Sequence, residues 1–227
     1  MDTYECIKTR RSIRRYQDKP VPWDDISTIL DAGRLAPSSG NLQNWKFIVV
    51  QDKDKKAKIA EAALKQHWIV KASTIIVICS EPEKAKRYYG DRGEKLYTIQ
   101  NCAAAVQNML LEATNLGLGS CWVGAFDEEK VKRIVGAEKQ VKILALVIIG
   151  HAADIPDEPV KFPLEVVTYI ESWRRKIKDV PGYFLYPSAY WPPAIQKGKE
   201  LAKKAIKKTK KLIKRRFKKN KKSPLQQ

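Results

Sequence analysis

The chain has 227 residues, 44 Lys and Arg against 25 Asp and Glu for a formal charge of +19, and 44% hydrophobic residues. That apolar content excludes disorder throughout, and the length suits one compact domain with a sizeable core. Fifteen of the bases and one acid, Glu200, fall within residues 197–222, leaving 29 bases against 24 acids in the first 196. A near-neutral body joined to a cationic tail is not, as a whole, a nucleic-acid-binding domain.

The longest apolar runs, Thr74–Cys79 and Ile143–Gly150, have strand length, far short of the roughly 20 residues of a spanning helix. The N-terminus lacks the basic start and apolar stretch of a signal peptide, which predicts a cytoplasmic protein. Cys6, Cys79, Cys102 and Cys121 stand far apart with only His67 and His151 to help them. No metal site is expected, and the thiols are expected reduced and mostly buried.

The order of elements predicts an α+β protein. Tyr4–Tyr16 opens with helical spacing, and a second helix begins near Asp24–Asp25, carries Ile26, Ile29, Leu30 and Gly33, and stops at Pro37. Phe47–Val50 and Ile75–Cys79 read as strands bracketing a helix over 56–65. The longest amphipathic pattern, Thr98–Leu116, places Ile99, Cys102, Ala103, Val106, Leu110 and Ala113 on one stripe and ends at Gly117. A short strand at Cys121–Val123, a helix capped by Asp127, a strand at Val141–Ile149 buried on both faces and a helix over 164–175 complete the body.

Three segments carry candidate chemistry. In Arg10-Arg11-Ser12-Ile13-Arg14-Arg15-Tyr16, read as the end of the first helix, Arg10 and Arg14 stand i, i+4 and would share a face. Two guanidinium forks there can grip a phosphate, with Ser12 as a further donor; a solvated basic helix end is the plainer alternative. Ala36-Pro37-Ser38-Ser39-Gly40-Asn41-Leu42-Gln43-Asn44-Trp45 is a loop of small, polar residues able to approach the edge of a planar heterocycle, or an ordinary connection. Gly117–Gly124 has the spacing GxGxxxxG in the order helix, turn, strand. A Rossmann phosphate loop needs strand, turn, helix, so no separate dinucleotide domain is expected. Gly124 would instead leave room for a ligand against the backbone.

In this order the three segments resemble the nitroreductase family of FMN-dependent oxidoreductases, over roughly residues 1–170. The resemblance implies a central mixed, mostly antiparallel sheet flanked by helices in an intertwined homodimer. It implies that Arg10, Arg11, Ser12 and Arg14 bind the FMN phosphate, ribityl chain and the N1 and O2 edge of the flavin. Pro37, Ser38, Ser39 and Asn41 match a loop that reaches the flavin from the other subunit, with Asn44 where proline is usual before the tryptophan. Val123, Gly124 and Ala125 would lie near N5 and O4. Lys161, ahead of Pro163-Leu164-Glu165, stands where a basic phosphate contact is common, as lysine rather than the commoner arginine. NADH or NADPH would give hydride and leave before a small acceptor such as a nitroaromatic or quinone enters the same cleft. Ene reduction, dehalogenation and flavin destruction are alternatives within the fold, as is a tethered module that merely binds flavin. No catalytic acid or base from the protein is required, and Trp45, Trp68 and Trp122 are read as core before pocket.

The expected domains are 1–180 for the flavin-binding body, 181–193 for a Pro- and aromatic-rich extension and 194–227 for the basic tail. Within the tail Leu201, Ala205, Leu212, Ile206, Ile213 and Phe217 fall on one apolar stripe at helical spacing among lysines. That pattern suits an anionic membrane surface, through residues 195–222, better than nucleic acid. A disordered solubilising tail is the plain alternative. The protein would then be cytoplasmic, peripheral at the membrane.

Overall fold

The structure, a computed structural model, describes residues 1–176. The aromatic segment 181–193 and the basic tail therefore lie outside the described residues. The chain divides into two compact units, Met1–Glu158 and a second that begins at Pro159.

In the first unit, Asp2 accepts from Glu5 N at 3.0 Å and caps α1 (Thr3–Thr9). α2 (Trp23–Arg34) buries Ile26, Ile29 and Gly33. The strands are β1 (Trp45–Val50), β2 (Thr74–Ser80), β3 (Gly119–Val123) and β4 (Lys142–Gly150), in the order β1-β2-β4-β3 with every neighbouring pair antiparallel. A parallel bridge between Ser12 and Ser120 extends the free edge of β3, so the sheet is mixed at that edge alone among the described residues. The remaining helices of this unit are α3 (Lys53–Ala62), α4 (Pro82–Arg92), α5 (Thr98–Asn115) and α6 (Glu128–Val135).

β2 is buried at all seven positions and β4 at all but Lys142 and Leu144, because helices cover both faces. One layer joins Ile75, Val77, Leu146 and Ile148 to Ile59, Ala60 and Val131 of α3 and α6. The other joins Ile76, Ile78, Val147 and Ile149 to Ile26 and Ile29 of α2 and Val106, Met109 and Leu110 of α5. Each fully buried isoleucine is worth about 1.5–3 kcal/mol, so the central strands anchor the unit. At a bulge the pairing passes from Ile78–Ala145 to Cys79–Ile143, which puts Leu144 and Ala145 on the same face. α5 ends with Gly117 at φ +72 and Leu118 N donating to Ala113 O at 2.8 Å, the left-handed stop expected of that glycine. Asp127 accepts from Lys130 N at 3.0 Å and caps α6 as predicted.

The structure departs from several expectations. The first helix stops at Thr9, and Arg10–Tyr16 is extended. Ile99 is 51% exposed, off the buried stripe of α5. α4, unread in the sequence because Gly90 and Gly93 interrupt its pattern, starts with Pro82 at a position needing no N–H. It runs through a kink at Gly90 into a π turn, Gly93–Tyr97, before α5. Alanine is barred at 93, since its Cβ would collide with the carbonyl oxygen of Ala85.

In the second unit, the helix expected over 164–175 is only α7 (Leu164–Val167). Glu171 and Arg174 adopt φ of +61° and +67°, which no helix accommodates. Among the described residues, no helix is long and apolar enough to cross a membrane.

Candidate functional site

The arginine segment is stitched to the sheet by its backbone. Ile13 N donates to Ser120 O and Gln17 N to His151 O, both at 2.9 Å. Ile13 and Tyr16 turn inward; an added Cβ on Gly119 would sit 3.0 Å from Ile13 Cγ1, so a larger residue there would press on the Ile13 side chain. Tyr16 donates its hydroxyl to Ile13 O at 2.9 Å and stacks on Trp68 at 6.3 Å. Burial raises the Tyr16 phenol far above its usual range, so it stays a neutral donor. The helical face expected to unite Arg10 and Arg14 does not exist, because Arg10 ends α1 and leaves it in extended backbone.

The fold sorts the four arginines into two kinds. Arg11 donates Nη1 to Lys8 O at 2.8 Å and Arg10 O at 3.0 Å, covering the open carbonyls of α1, and lies 3.8 Å from Glu158. Arg15 pairs with Asp154 at 3.0 Å. Arg10 and Arg14 have no carboxylate partner among the described residues. Both act on the buried Cys121 thiol: burial pushes it up, while the charges of Arg14 and Arg10 and a hydrogen bond from Ser12 oppose the rise. Arg10, Ser12 and Arg14 therefore lie near Cys121 of β3, to which Ser12 is tied by its bridge with Ser120. Ser120 Oγ of β3, Arg11 Nε of the arginine segment and His151 Nε2, whose carbonyl accepts from Gln17 N, are buried with no hydrogen-bond partner. An unsatisfied buried polar atom costs about 1–3 kcal/mol. Two free guanidinium groups beside unpartnered donors fit a phosphate-bearing ligand with hydrogen-bond acceptors, which is the chemistry of FMN.

Val123 is buried at the end of β3 and Gly124 and Ala125 are exposed beyond it. A Cβ on Gly124 would meet nothing within 4 Å, so packing within the chain does not demand glycine there. Trp122 is 40% exposed, Trp45 lies in the core and Trp68 is half-buried. Lys161 is exposed and belongs to the second unit.

The loop Pro37–Asn44 is built differently. Asn101 of α5 accepts from Ser39 N at 2.9 Å and donates to Ser39 Oγ at 3.0 Å and Asn44 Oδ1 at 2.8 Å. Asn44, with no exposure, donates to Thr98 Oγ1 at 3.1 Å, and Thr98 donates to Gly93 O at 3.0 Å. The residue that replaces the usual proline thus fixes the loop by hydrogen bonds. Ser38 Oγ accepts from Gln43 N at 3.0 Å. Asn41 and Gln43 hold φ of +54° and +46°, strain that this network maintains.

These two parts do not meet within one chain. Ser12 bridges β3 at one edge of the sheet, the loop leads into β1 at the other, and two strands stand between them. At about 4.8 Å per strand the edges are about 14 Å apart. Sequence inspection missed Ser120 and the Asn44–Asn101–Thr98 network; an asparagine beside Cys102 on the apolar stripe was the available signal. Among the described residues, no group of His, Cys, Asp and Glu could hold a metal ion.

Comparison with known proteins places this arrangement. The model of the nitroreductase family matches residues 7–73 and 63–151. A protein of Archaeoglobus fulgidus whose name pairs NADH dehydrogenase with NAD(P)H nitroreductase is 38% identical over 160 residues, 67% of this chain and 88% of that protein. The Bacillus subtilis FMN reductase [NAD(P)H] is 30% identical over 76% of this chain and 74% of its own length. Among solved structures, the Vibrio harveyi NADPH:FMN oxidoreductase complexed with NAD+ superimposes with a TM-score of 0.70 at 26% identity, covering 76% of this chain and 78% of that one.

Proposed function

We propose, because this chain belongs to the nitroreductase family, that it is an FMN-dependent oxidoreductase driven by NADH or NADPH. In this proposal it works as a homodimer and reduces a small electron-poor acceptor such as a nitroaromatic or quinone. The supporting observation is the pair of unneutralised guanidinium groups, Arg10 and Arg14, on the segment whose Ser12 bridges Ser120, a residue with an unpartnered buried hydroxyl.

Bound FMN would supply the two-electron chemistry, taking hydride from the nicotinamide and passing it to the acceptor. Arg10 and Arg14 would hold the phosphate and the N1 and O2 edge, where a fixed positive charge would favour added electrons. Ser12 and Ser120 donate to the ribityl and phosphate oxygens. Backbone at Val123, Gly124 and Ala125 would face N5 and O4. Pro37, Ser38, Ser39 and Asn41 enter from the second copy, a division supported by the separation of loop and arginine segment across the sheet. Similar assembly gives one cleft used in turn by donor and acceptor.

The visible spectrum of the purified protein, alone and after NADH or NADPH, is the direct test. A yellow protein that bleaches with a nicotinamide and recovers with a quinone is expected. A colourless protein that takes up no added FMN would overturn the proposal.

The segment 195–222 is proposed to hold this cytoplasmic enzyme against an anionic membrane, supported by its charge excess. Sedimentation with phosphatidylserine vesicles, lost on deletion of 195–227 with turnover kept, is the expected result. Retention by nucleic acid with no vesicle binding would reverse the assignment.

A further inference from the structure

The sequence contains no Rossmann phosphate loop, so a nicotinamide donor that stacks on the flavin needs another place for its adenosine phosphate half. A cleft of about 450 Å³ lies between the strained loop and α4, lined by Gly40, Asn41 and Leu42 of the loop and Lys84, Arg87, Tyr88 and Tyr89 of the helix. Its composition is that of a phosphate and heteroaromatic binder: two cations, two tyrosine rings and an amide side chain.

The cleft is braced from behind. Tyr89 meets Tyr97 edge to face, with centroids 5.2 Å apart, and Arg92 lies over the Tyr97 ring at 5.5 Å while donating Nε to its hydroxyl at 3.1 Å. The Tyr89 hydroxyl stands against Gly40, where a Cβ would collide with it, and Gly40 itself has φ +52°. Loop and α4 thus meet through the Tyr89 ring, which closes on the bare backbone of Gly40. Tyr88 is 68% exposed, an unstacked ring beside that contact. On α4, Lys84 pairs with Glu81 at 2.9 Å and Lys86 with Glu83 and Glu94. Arg87 is exposed and has no carboxylate partner among the described residues. A guanidinium free of partners and an unstacked aromatic ring, both on α4 and facing one cleft with the loop assigned to the flavin of the second copy, have the chemistry to hold a phosphate and stack a purine.

We infer that this cleft binds the adenosine phosphate half of the nicotinamide donor, with Arg87 on a phosphate and Tyr88 against the adenine. The assignment rests on the oxidoreductase function proposed above. It makes Arg87 and Tyr88 determinants of donor affinity and separates them from hydride transfer, which takes place at the flavin.

The full-length FMN-loaded protein supplies the test. Wild type, Arg87→Ala, Arg87→Lys and Tyr88→Ala are compared in rapid-mixing flavin reduction by NADPH, by NADH and by 1-benzyl-1,4-dihydronicotinamide, which has no adenosine phosphate half. Loss of a charged hydrogen bond in Arg87→Ala is expected to weaken NADPH and NADH by about 10- to 100-fold in the concentration dependence, with the limiting rate unchanged. Arg87→Lys should recover part of that loss, and the benzyl donor should be indifferent to all three substitutions. Equal losses with the truncated donor, or none with NADPH, would overturn the assignment. Calorimetric titration with ADP gives a readout independent of turnover: binding to wild type that is lost in Arg87→Ala supports the cleft, and no binding to wild type rejects it. Failure of every donor to reduce the flavin, with ADP still bound through Arg87, would count against the oxidoreductase reading and leave the cleft standing.

Discussion

The arginine segment 10–16 and the loop 37–44 are both short, polar and irregular, yet the fold uses them in opposite ways. The first is held by its backbone and by Ile13 and Tyr16, so its functional side chains Arg10 and Arg14 are not consumed in structure. The second is held by its side chains: Ser39, Asn44, Asn101 and Thr98 satisfy one another in a buried chain of hydrogen bonds, and what the loop offers outward is shape. The difference teaches that a polar motif can donate its charge to a ligand only where something else holds it in place.

The sharpest way to break this comparison is Asn101→Ala. It would strand Ser39 N and Asn44 Oδ1 without partners, and urea unfolding should show a loss of about 2–4 kcal/mol. An unchanged unfolding midpoint would mean that the network does not hold the loop. Next in size, Arg10→Ala and Arg14→Ala should each weaken FMN by about 10- to 100-fold in fluorescence titration while stability stays within about 0.5 kcal/mol of wild type. Large destabilisation with intact flavin binding would reverse the roles assigned to the two regions.

Gly40→Ala is expected to cost about 1–2 kcal/mol, because alanine resists φ +52° and its Cβ would displace the Tyr89 hydroxyl. Thermal unfolding reads the cost, and Gly124→Ala, into open space, serves as the silent control. The effect confined to alkaline pH concerns the thiols. Burial pushes Cys79 up to about 11 and Cys102 up to about 12, so in the folded chain both keep their protons where unfolded thiols ionise, from about pH 8.5. The unfolded state then binds fewer protons, so stability is fully present below pH 8.5 and declines above it, by at most about 1.4 kcal/mol per pH unit for each thiol. Cys121, opposed by Arg14 and Arg10, should add less, and the decline should steepen in the double arginine variant. Urea unfolding between pH 7.5 and 10 checks both slopes; a flat profile would contradict the burial argument.

Much of the architecture was legible in the residues. β-branched runs at 74–79 and 143–149 become the two strands buried on both faces, since only a covered strand can be apolar at consecutive positions. Caps at Asp127 and Gly117 were equally readable, because they depend on a neighbour a few residues away. α4 was not, because its glycines mark a kink and a close approach to Ala85 O that exist only once the helix is packed. Among the candidate site residues, sequence grouped Arg10, Arg11, Ser12 and Arg14 as equals. The fold separates Arg11, which covers the carbonyls at the end of α1, from Arg10 and Arg14.

By itself, then, the sequence determined the elements whose causes are local: strand periodicity, helix caps, the position of the three polar segments and the concentration of most of the surplus charge in residues 197–222. Which arginines remain free, which asparagines lock the loop, and the placement of the two segments on opposite edges of one sheet were decided only by tertiary structure. The physical reason is that a charge or an amide becomes available or satisfied according to the groups brought beside it from distant parts of the chain, and sequence spacing does not encode those neighbours.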